Sequence, residues 1–233
     1  MISVILSTNN EIRNGYLEDM LEAISSQKSD HEIIIVDNAS TDNTLKICKQ
    51  YTENIFTLPE SNRAQRMNLW LEKAQWDIIL FHHSVAKIQG ESFTTIEKVL
   101  RDNDWGWHTH SFDVENPILK FTSWYSNNMR WKRGILYLDH CIFANKTLLD
   151  ELGGFPDMDI FEDTAFSEKM RKKSCPIIID EKIVTSARRF TKRGIIKQSF
   201  LNQWLKLCYY AKLSDKKMNK SYEQDDGFNV TYK

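Results

Sequence analysis

Three short polar segments each follow an apolar run of the chain, at the point where that run ends. They are Ser7 to Glu11, Asp37 to Asp42 and His82 to Lys87. The Asp37 segment suits a carboxylate that hydrogen-bonds a base or a ribose. The same Asp-rich turn is also typical of ordinary helix capping, with Ser40 or Asp42 as the cap. Both interpretations stay open from these residues alone.

Two arginine pairs could bind an anion. Arg63 and Arg66 lie at the start of a predicted helix, where the helix dipole disfavours cations. This position favours a compensating anion such as a diphosphate, with solvated surface arginines as the alternative. Arg188 and Arg189 follow a strand-like segment and could bind phosphate, because guanidinium matches phosphate oxygens in a bidentate manner.

The first half of the chain alternates short β-branched runs with helical patterns. The predicted strands are Ile2 to Leu6, Glu32 to Val36, Ile55 to Leu58 and Asp77 to Phe81. Helical spacing relates Leu17, Leu21 and Ile24, and then Ala64, Met67, Leu71 and Ala74. This alternation predicts βαβ units around a mostly parallel sheet covered on both faces. Right-handed crossovers bring the carboxyl ends of the strands to one edge, where ligands of open α/β sheets bind.

The pattern loosens from about Gly106 to Arg133, where aromatic residues lie among polar ones. They are Trp105, Trp107, Trp124, Tyr125 and Trp131. We expect them to fill the core, with an acceptor-side surface as the alternative. The predicted elements that follow are a strand near Leu136 to Phe143, a helix near Lys146 to Leu152, a turn at Gly153 to Pro156, a helix over Thr164 to Lys172, a strand at Ile177 to Ile179 and a long helix near Ile195 to Leu213.

Composition excludes some classes of protein. The 31 Lys and Arg and 32 Asp and Glu give a formal net charge of -1, so the whole chain has no drive toward nucleic acid. The cysteines Cys48, Cys141, Cys175 and Cys208 form no C-x-x-C pair and are expected to be buried free thiols. No apolar run approaches the roughly 18 residues that span a bilayer. We expect a cytoplasmic protein, at most peripheral at the inner membrane face.

Two early segments together resemble the N-terminal half of a family 2 glycosyltransferase. They are Ser3 to Glu11 (SVILSTNNE) and Glu32 to Thr44 (EIIIVDNASTDNT). Later motifs resemble one bacterial and archaeal branch of that family, namely Arg63 to Asn68 (RAQRMN), Gly153 to Pro156 (GGFP), Glu162-Asp163 and Ser186 to Arg189 (SARR). The resemblance extends over most of the chain.

This resemblance implies an α/β, GT-A-like nucleotide-diphospho-sugar transferase fold, with a mostly parallel central sheet flanked by helices. It implies one domain over residues 1–213, with a nucleotide-binding half to about residue 90 and an acceptor half beyond it. Residues 214–233, which are polar and lysine-rich, are expected to form a mobile tail. The donor would be a nucleoside-diphosphate sugar, and the acceptor a saccharide, a lipid-linked molecule or a small molecule.

The resemblance also assigns roles to residues. The carboxylate matching Asp37 contacts the nucleobase, and the pair matching Glu162 and Asp163 supplies the general base. From the residues alone this pair could equally cap a helix. With the resemblance we favour Asp163 as the base and Glu162 as its support or an acceptor contact. The candidate residues for nucleotide-sugar binding are Ser7, Thr8, Asn10, Glu11, Asp37, Ser40, Arg63, Arg66, His83, Arg188 and Arg189.

One position departs from the family pattern. An aspartate that helps hold a divalent ion, Mn²⁺ or Mg²⁺, is expected after the strand that ends at Phe81, and Val85 stands there instead. Valine cannot ligate, and histidine is a poor ligand for Mg²⁺. Three alternatives follow: transfer without metal, in which Lys87 or the arginines neutralise the leaving group; a metal held by Asp139 and His83; or loss of catalysis. Histidines 82 and 83 could also be structural, one packed and one solvated.

The long C-terminal helix mixes apolar residues with lysines. Its apolar residues include Phe200, Trp204, Leu207 and Leu213. We expect core packing, with a homodimer contact or a peripheral membrane contact as alternatives. Two rival functions remain: a catalytically inactive nucleotide-sugar-binding module, and a nucleotidyltransferase, for which the expected glycine-rich phosphate loop near the N-terminus is missing.

Overall fold

A computed structural model describes residues 1–130, 132 and 135–223. Within these residues, eight strands form one sheet in the order β3-β2-β1-β4-β7-β6-β8-β5. The strands are β1 (Ile2–Thr8), β2 (His31–Asp37), β3 (Ile55–Thr57), β4 (Ile78–His82), β5 (Ala86–Ile88), β6 (Trp105–Phe112), β7 (Phe143–Asn145) and β8 (Ile177–Thr185). The helices are α1 (Leu17–Ser25), α2 (Thr44–Cys48), α3 (Arg63–Lys73), α4 (Ser92–Val99), α5 (Pro117–Tyr125), α6 (Lys146–Leu152), α7 (Glu162–Lys173), α8 (Arg188–Arg193), α9 (Ile195–Tyr210) and α10 (Asp215–Glu223).

The N-terminal half of the sheet is parallel, as the alternating pattern predicts. Strand β1 pairs in parallel with β2 and with β4, and β2 pairs in parallel with β3. Helix α1 buries Leu17, Leu21 and Ile24 against this sheet, so the predicted helical stripe is confirmed. The mixed α/β architecture with a largely parallel core is therefore confirmed, and the polar segments after β1, β2 and β4 share one edge.

The C-terminal half mixes directions. Strand β7 runs antiparallel to β4 and β6, whereas β6 and β8 are parallel. The sequence pattern does not indicate β6, partly because Gly106 interrupts its aromatic run. A Cβ at Gly106 would lie 2.3 Å from the carbonyl oxygen of Ile177, so close strand approach requires glycine there. Core filling is confirmed for Trp105 and Trp107, which are fully buried. It is wrong for Trp124, which is 52% exposed, and Trp131 lies outside the described residues.

The strand predicted near Leu136 to Phe143 is largely wrong. Strand β7 begins only at Phe143, and residues 138–140 form a 3₁₀ turn. The backbone N–H of Leu136 donates to Ser167 Oγ (3.1 Å) and that of Leu138 donates to Asp163 Oδ2 (3.1 Å). Side chains of α7 thus take hydrogen bonds that a neighbouring strand would otherwise accept.

The C-terminal helices also differ from expectation. Core packing is wrong for Phe200, Trp204 and Leu207 of α9, each more than 60% exposed. Part of the expected tail forms α10, because Met218 packs with Leu205 and other residues in a small second core. Residues 224–233 of that tail lie outside the described part of the chain.

Two further properties concern the whole described chain. Its helices include none that is long and apolar enough to cross a membrane. The cysteines are free, and all are buried except Cys175, for which the expected burial is wrong.

Candidate functional site

A cavity of about 360 Å³ opens at the carboxyl ends of β1, β2 and β4. Both halves of the chain contribute to it. Among the predicted residues, those that line it are Ser7, Thr8, Glu11, Arg63, Arg66, His83, Asp139, Asp163, Arg188 and Arg189. The fold therefore gathers most of the candidates, although they lie as many as 182 positions apart in sequence.

Three residues form what we call the edge network, namely Thr8, Asp37 and Ser40. Thr8 Oγ1 and Ser40 Oγ donate to Asp37 Oδ1 (2.8 and 2.6 Å), and the Ser40 N–H donates to Oδ2 (2.5 Å). Asp37 is fully buried, so its carboxylate holds the two loops together. The next residue, Asn38, lines the cavity instead. Contact between Asp37 and a nucleobase stays a prediction.

Asn10 joins the same two loops. Its N–H donates to Ser40 Oγ (2.8 Å), and its Oδ1 accepts from the Thr41 N–H (2.8 Å). The adjacent Glu11 is anchored through its backbone, whose N–H donates to Thr44 Oγ1 (2.8 Å), and its side chain lines the cavity. The polar segments after β1 and β2 are thus one cross-linked unit.

Helix α3 places the two arginines through a well-formed N-terminus. Asn62 and Gln65 make a reciprocal capping box, which fixes where the helix starts. Arg66, only 4% exposed, donates from Nε to Ser7 Oγ (2.6 Å) and from Nη1 to the Ser61 carbonyl. Its guanidinium is therefore held against the end of β1.

Arg63 lies beside the acidic pair. Its Nε donates to Glu162 Oε1, and its Nη2 lies 3.6 Å from Asp163 Oδ2. In the structure these carboxylates lie next to the α3 N-terminus, as do Asp157 and Asp159, which accept hydrogen bonds from the Asn62 side chain. Glu162 is buried beneath the cavity, whereas Asp163 lines it.

The pKa of Asp163 is raised well above its ordinary range. Burial is the main cause, and the neighbouring Glu162 charge adds to it. The Arg63 guanidinium and the Leu138 N–H oppose the shift without cancelling it. A carboxylate with raised proton affinity, at a cavity wall, can act as a general base near neutral pH.

The loop before α7 is locked to α3. The Asn68 side chain accepts from the Phe155 N–H and donates to the Phe155 carbonyl, both at 2.8 Å. Gly154 has φ +73°, and a Cβ there would lie 2.4 Å from Asn68 Oδ1. The Arg63 to Asn68 segment and the Gly153 to Pro156 turn are thus two sides of one joint, which fixes the start of α7 and hence Asp163.

Four residues form what we call the histidine cluster, namely His83, His110, Asp139 and His140. The His110 and His140 rings lie 4.6 Å apart, and His140 Nε2 lies 2.7 Å from Ser126 Oγ. Both ring nitrogens of buried His110, and Oδ1 of Asp139, have no hydrogen-bond partner in the part of the chain that the structure describes.

Burial keeps the rings of this cluster neutral. It lowers the pKa of His83 and of His140 to about 3, and it lowers that of His110 as well. Burial also opposes ionisation of Asp139, but positive charge on neighbouring groups outweighs it, so the Asp139 pKa lies below its ordinary value; with the rings neutral, Arg130 is the neighbour that carries this charge near neutral pH. The cluster therefore offers neutral imidazoles beside one carboxylate.

The donor set around Val85 does not fit a divalent-ion site built from protein side chains. Val85 lines the cavity with an aliphatic side chain, and its N–H donates to His83 Nδ1 (3.3 Å). Within the described ranges, His, Cys, Asp and Glu form no group of three that could hold a metal. Lys87 lies 3.5 Å from Asp19 of α1 and does not belong to the lining, so its suggested role at a leaving group is wrong.

The end of β8 completes the cavity. The Ser186 N–H donates to the Val85 carbonyl (3.0 Å), which holds this turn against the segment after β4. The Arg189 guanidinium lies 4.3 Å from the centre of the Tyr222 ring on α10. Cationic side chains among the lining residues are Arg63, Arg66, Arg130, Arg188, Arg189 and Lys206.

Several lining residues were not predicted from the sequence. They are Asn38, His110, Arg130, Tyr137, His140 and Lys206. His110 had no usable signal, because it lies on β6, the strand that the sequence pattern does not indicate. Tyr137, between the cations of Arg130 (4.6 Å) and Lys206 (5.4 Å), had none, because a tertiary contact brings these groups together.

Comparison with known proteins supports a glycosyltransferase with a GT-A-like fold. Residues 3–84 match the sequence profile of "Glycosyl transferase family 2". The fold is similar to S. aureus TarS, with a TM-score of 0.66 and 19% identity over 80% of this chain and 36% of that one. It is also similar to S. aureus TarS 1-349 in complex with UDP-GlcNAc, with a TM-score of 0.63 and 20% identity over 79% of this chain and 58% of that one. A third similar structure is the Pyrobaculum calidifontis mannosyltransferase PcManGT in complex with GDP-Man and Mn²⁺. Its TM-score is 0.60, with 22% identity over 78% of this chain and 56% of that one.

These likenesses establish a GT-A-like fold, and the profile match supports a glycosyltransferase. No curated protein sequence gives a match. The chain spans only 36% of the TarS chain, so further properties of that protein do not transfer with the fold.

Proposed function

We propose that this protein transfers a sugar from a nucleoside-diphosphate sugar to an acceptor hydroxyl. The observation that carries the proposal is Asp163, a carboxylate of raised pKa at the wall of a cavity rich in arginine. The cavity lies at the carboxyl ends of parallel strands, the usual ligand site of such sheets. The similar proteins in complex with UDP-GlcNAc and GDP-Man support the substrate class.

The nucleotide would bind on the side of β1, β2 and α3. Asn38, next to the edge network, offers an amide to the base or ribose, and Asp37 holds the loops that present it. We assign to the diphosphate Arg66, Arg188 and Arg189, which line the cavity, since guanidinium groups suit its oxygens. We assign to Arg63 the additional role of orienting the Glu162 and Asp163 carboxylates.

The acceptor oxygen forms a bond to the anomeric carbon while its proton passes to the Asp163 carboxylate. The bond from that carbon to the diphosphate oxygen breaks, and the nucleoside diphosphate leaves with the electron pair. The arginines that line the cavity would answer the developing negative charge.

The histidine cluster is our candidate for the sugar contact. Buried polar atoms without partners cost free energy in the absence of a ligand. His110 and Asp139 could hydrogen-bond sugar hydroxyls, since a neutral imidazole both donates and accepts and a carboxylate accepts.

Two measurements test the proposal. The first is the thermal midpoint of the chain with UDP, GDP, UDP-GlcNAc and GDP-mannose, because a ligand of the native state raises it. The second is the release of nucleoside diphosphate from whichever nucleotide sugar binds, with Asp163→Asn as the inactive reference. Asp180→Asn, an exposed aspartate outside the cavity lining, is the matched control.

Each outcome decides between functions. Nucleoside diphosphate release that needs Asp163 supports a glycosyltransferase. Binding without turnover, for every acceptor class tested, indicates an inactive nucleotide-sugar-binding module. Pyrophosphate release instead indicates a nucleotidyltransferase, and the absence of any nucleotide binding overturns the proposal.

A further inference from the structure

Helix α9 exposes a continuous apolar face. Its large exposed side chains are Ile196, Phe200, Trp204, Leu207 and Tyr210, between 55% and 73% accessible. Their spacing of four, four, three and three residues places them on one side of the helix. A contiguous exposed patch of this kind on an otherwise folded surface marks an interaction site.

Within the described part of the chain, this face is exposed and contributes little to packing. The helix is anchored by its other side, where Leu205 and Cys208 are buried with Phe161 and Met218 in the second core. Gln198, also buried, bonds to Asn202 on the same helix. Helix α9 is therefore fixed in place by one side and presents the other to a partner.

Charge identifies the kind of partner. Between Glu181 and Asp215 the sequence contains eight Lys and Arg and no Asp or Glu, although the whole chain has a formal net charge of -1; three of the eight, Arg188, Arg189 and Lys206, line the cavity. Lys197 and Lys212 of this stretch are exposed beside the apolar face. An apolar helix face with aromatic residues and flanking lysines is typical of helices that lie in the interface of an anionic bilayer.

A second copy of the chain fits less well. A two-fold contact through this face would bring the same patch of both subunits together. Each subunit would then place its acid-free, basic stretch against the same stretch of the other, and like charges repel.

We propose that the exposed face of α9 docks on the surface of an anionic lipid bilayer. Ser199, Asn202 and Gln203, on the adjoining side of α9, line the cavity. Docking would therefore hold the cavity wall next to the lipid surface. A cavity next to the lipid surface favours a lipid-linked acceptor over a free sugar. This conclusion about the acceptor rests on the proposed function.

The direct test is flotation of the full chain with lipid vesicles, without any nucleotide. The vesicles are phosphatidylcholine alone, or equal parts of phosphatidylcholine and phosphatidylglycerol. We expect binding to the anionic vesicles and little to the neutral ones. The double variant Phe200→Ser/Trp204→Ser should bind roughly 10- to 100-fold more weakly at an unchanged thermal midpoint, since both side chains are exposed and lie outside the cavity lining.

A charge variant separates the electrostatic part. Lys197→Gln/Lys212→Gln should weaken binding about fivefold for each lysine removed. Lys46→Gln/Lys49→Gln, a pair of exposed lysines on α2 and just after it, is the matched control and should bind like the native chain.

Several outcomes overturn the proposal. They are absence of binding to both vesicles, equal binding to both, or binding that the Phe200→Ser/Trp204→Ser variant retains. A dimer in sedimentation that this variant abolishes would assign the face to a second copy instead. Because the readout involves no sugar transfer, failure of docking and failure of the proposed function are distinguishable.

Discussion

Buried polar groups on the two sides of the cavity differ in the hydrogen bonds that the chain makes to them. In the edge network, the Asp37 oxygens accept three hydrogen bonds from Thr8 and Ser40. In the histidine cluster, both ring nitrogens of His110 and Oδ1 of Asp139 have no hydrogen-bond partner among the described residues. The edge network itself is satisfied by the chain, although the neighbouring Asn9 Oδ1 has no partner among the described residues, whereas three buried atoms of the histidine cluster have none.

This difference separates framework from recognition. A satisfied network rigidifies the loops that it joins, and an unsatisfied buried group is an exception that a ligand explains. The family profile covers residues 3–84 and so includes the edge network, but it ends before His110 and Asp139. Sequence similarity thus follows the framework, and the groups that we assign to sugar recognition lie beyond it.

The largest expected effect is on Asp163, which belongs to neither group and to which we assign the chemistry. Asp163→Asn should reduce turnover by roughly 10² to 10⁴ and leave nucleotide affinity nearly unchanged, because the amide cannot accept the acceptor's proton. In the native enzyme, activity should rise with pH through the raised Asp163 pKa, since only the ionised form is a base. Steady-state kinetics and calorimetry measure the two parts. Parallel loss of affinity and turnover would make Asp163 a structural residue.

The second prediction concerns acid. Burial lowers the pKa of His82, His83 and His140 to about 3 and of His108 to about 4. Below an unfolded-state pKa of about 6.5, the unfolded chain binds protons that the folded chain excludes, so stability falls as pH drops from there toward about 4. Asp163 acts oppositely, because its raised pKa lets the folded chain bind a proton first, but it is one group against five, since burial lowers the pKa of His110 as well.

Urea unfolding between about pH 7 and about pH 5 measures this slope. We expect more than the roughly 1.4 kcal/mol per pH unit that one proton gives. His108→Phe should reduce the slope by about one proton. A stability that stays flat over this window would show that the rings are not held neutral.

The third prediction tests the satisfied side. Asp37→Ala leaves the buried donors of Thr8 and Ser40 without their acceptor, so it should lower the free energy of unfolding by about 1 to 3 kcal/mol. Nucleotide affinity should fall by a similar amount if those loops present the base site. Denaturant melts and calorimetry measure the two effects. Unchanged stability would remove the framework role.

The fourth prediction is the converse on the unsatisfied side. His110→Phe keeps the ring and its contact with Phe112 but removes two buried nitrogens that have no described partner. Stability should therefore be unchanged or slightly higher, while kcat/KM falls roughly tenfold, the value of one or two lost hydrogen bonds. An equal fall in stability and activity would place His110 with the framework and remove the contrast.

The sequence predicts the two sides unequally, for a physical reason. Strands β1, β2 and β4 and helices α1 and α3 follow from local periodicity, and the polar segments at their ends follow from chain topology. The histidine cluster depends on β6, which the sequence pattern does not indicate because Gly106 interrupts it. It also depends on the turn at residues 138–140, where the Leu138 N–H donates to Asp163 of α7. Such tertiary contacts leave no periodic trace. For the same reason the exposure of α9 was not predictable, because apolar spacing alone does not show which face is covered.

The smallest expected effect concerns the metal. A diphosphate leaving group develops negative charge, and either a divalent ion or fixed cations must answer it. Val85 and its neighbours do not fit a protein-built ion site, whereas arginines line the cavity. Nucleotide-sugar binding should therefore weaken less than about tenfold in chelator, about 1.4 kcal/mol, and Arg189→Ala should weaken it more. Val85→Asp should then create a Mn²⁺ dependence. If native binding collapses in chelator and returns with Mn²⁺, His83 and Asp139 become the ligands to test, and the cluster that we assign to sugar recognition would be a metal site instead.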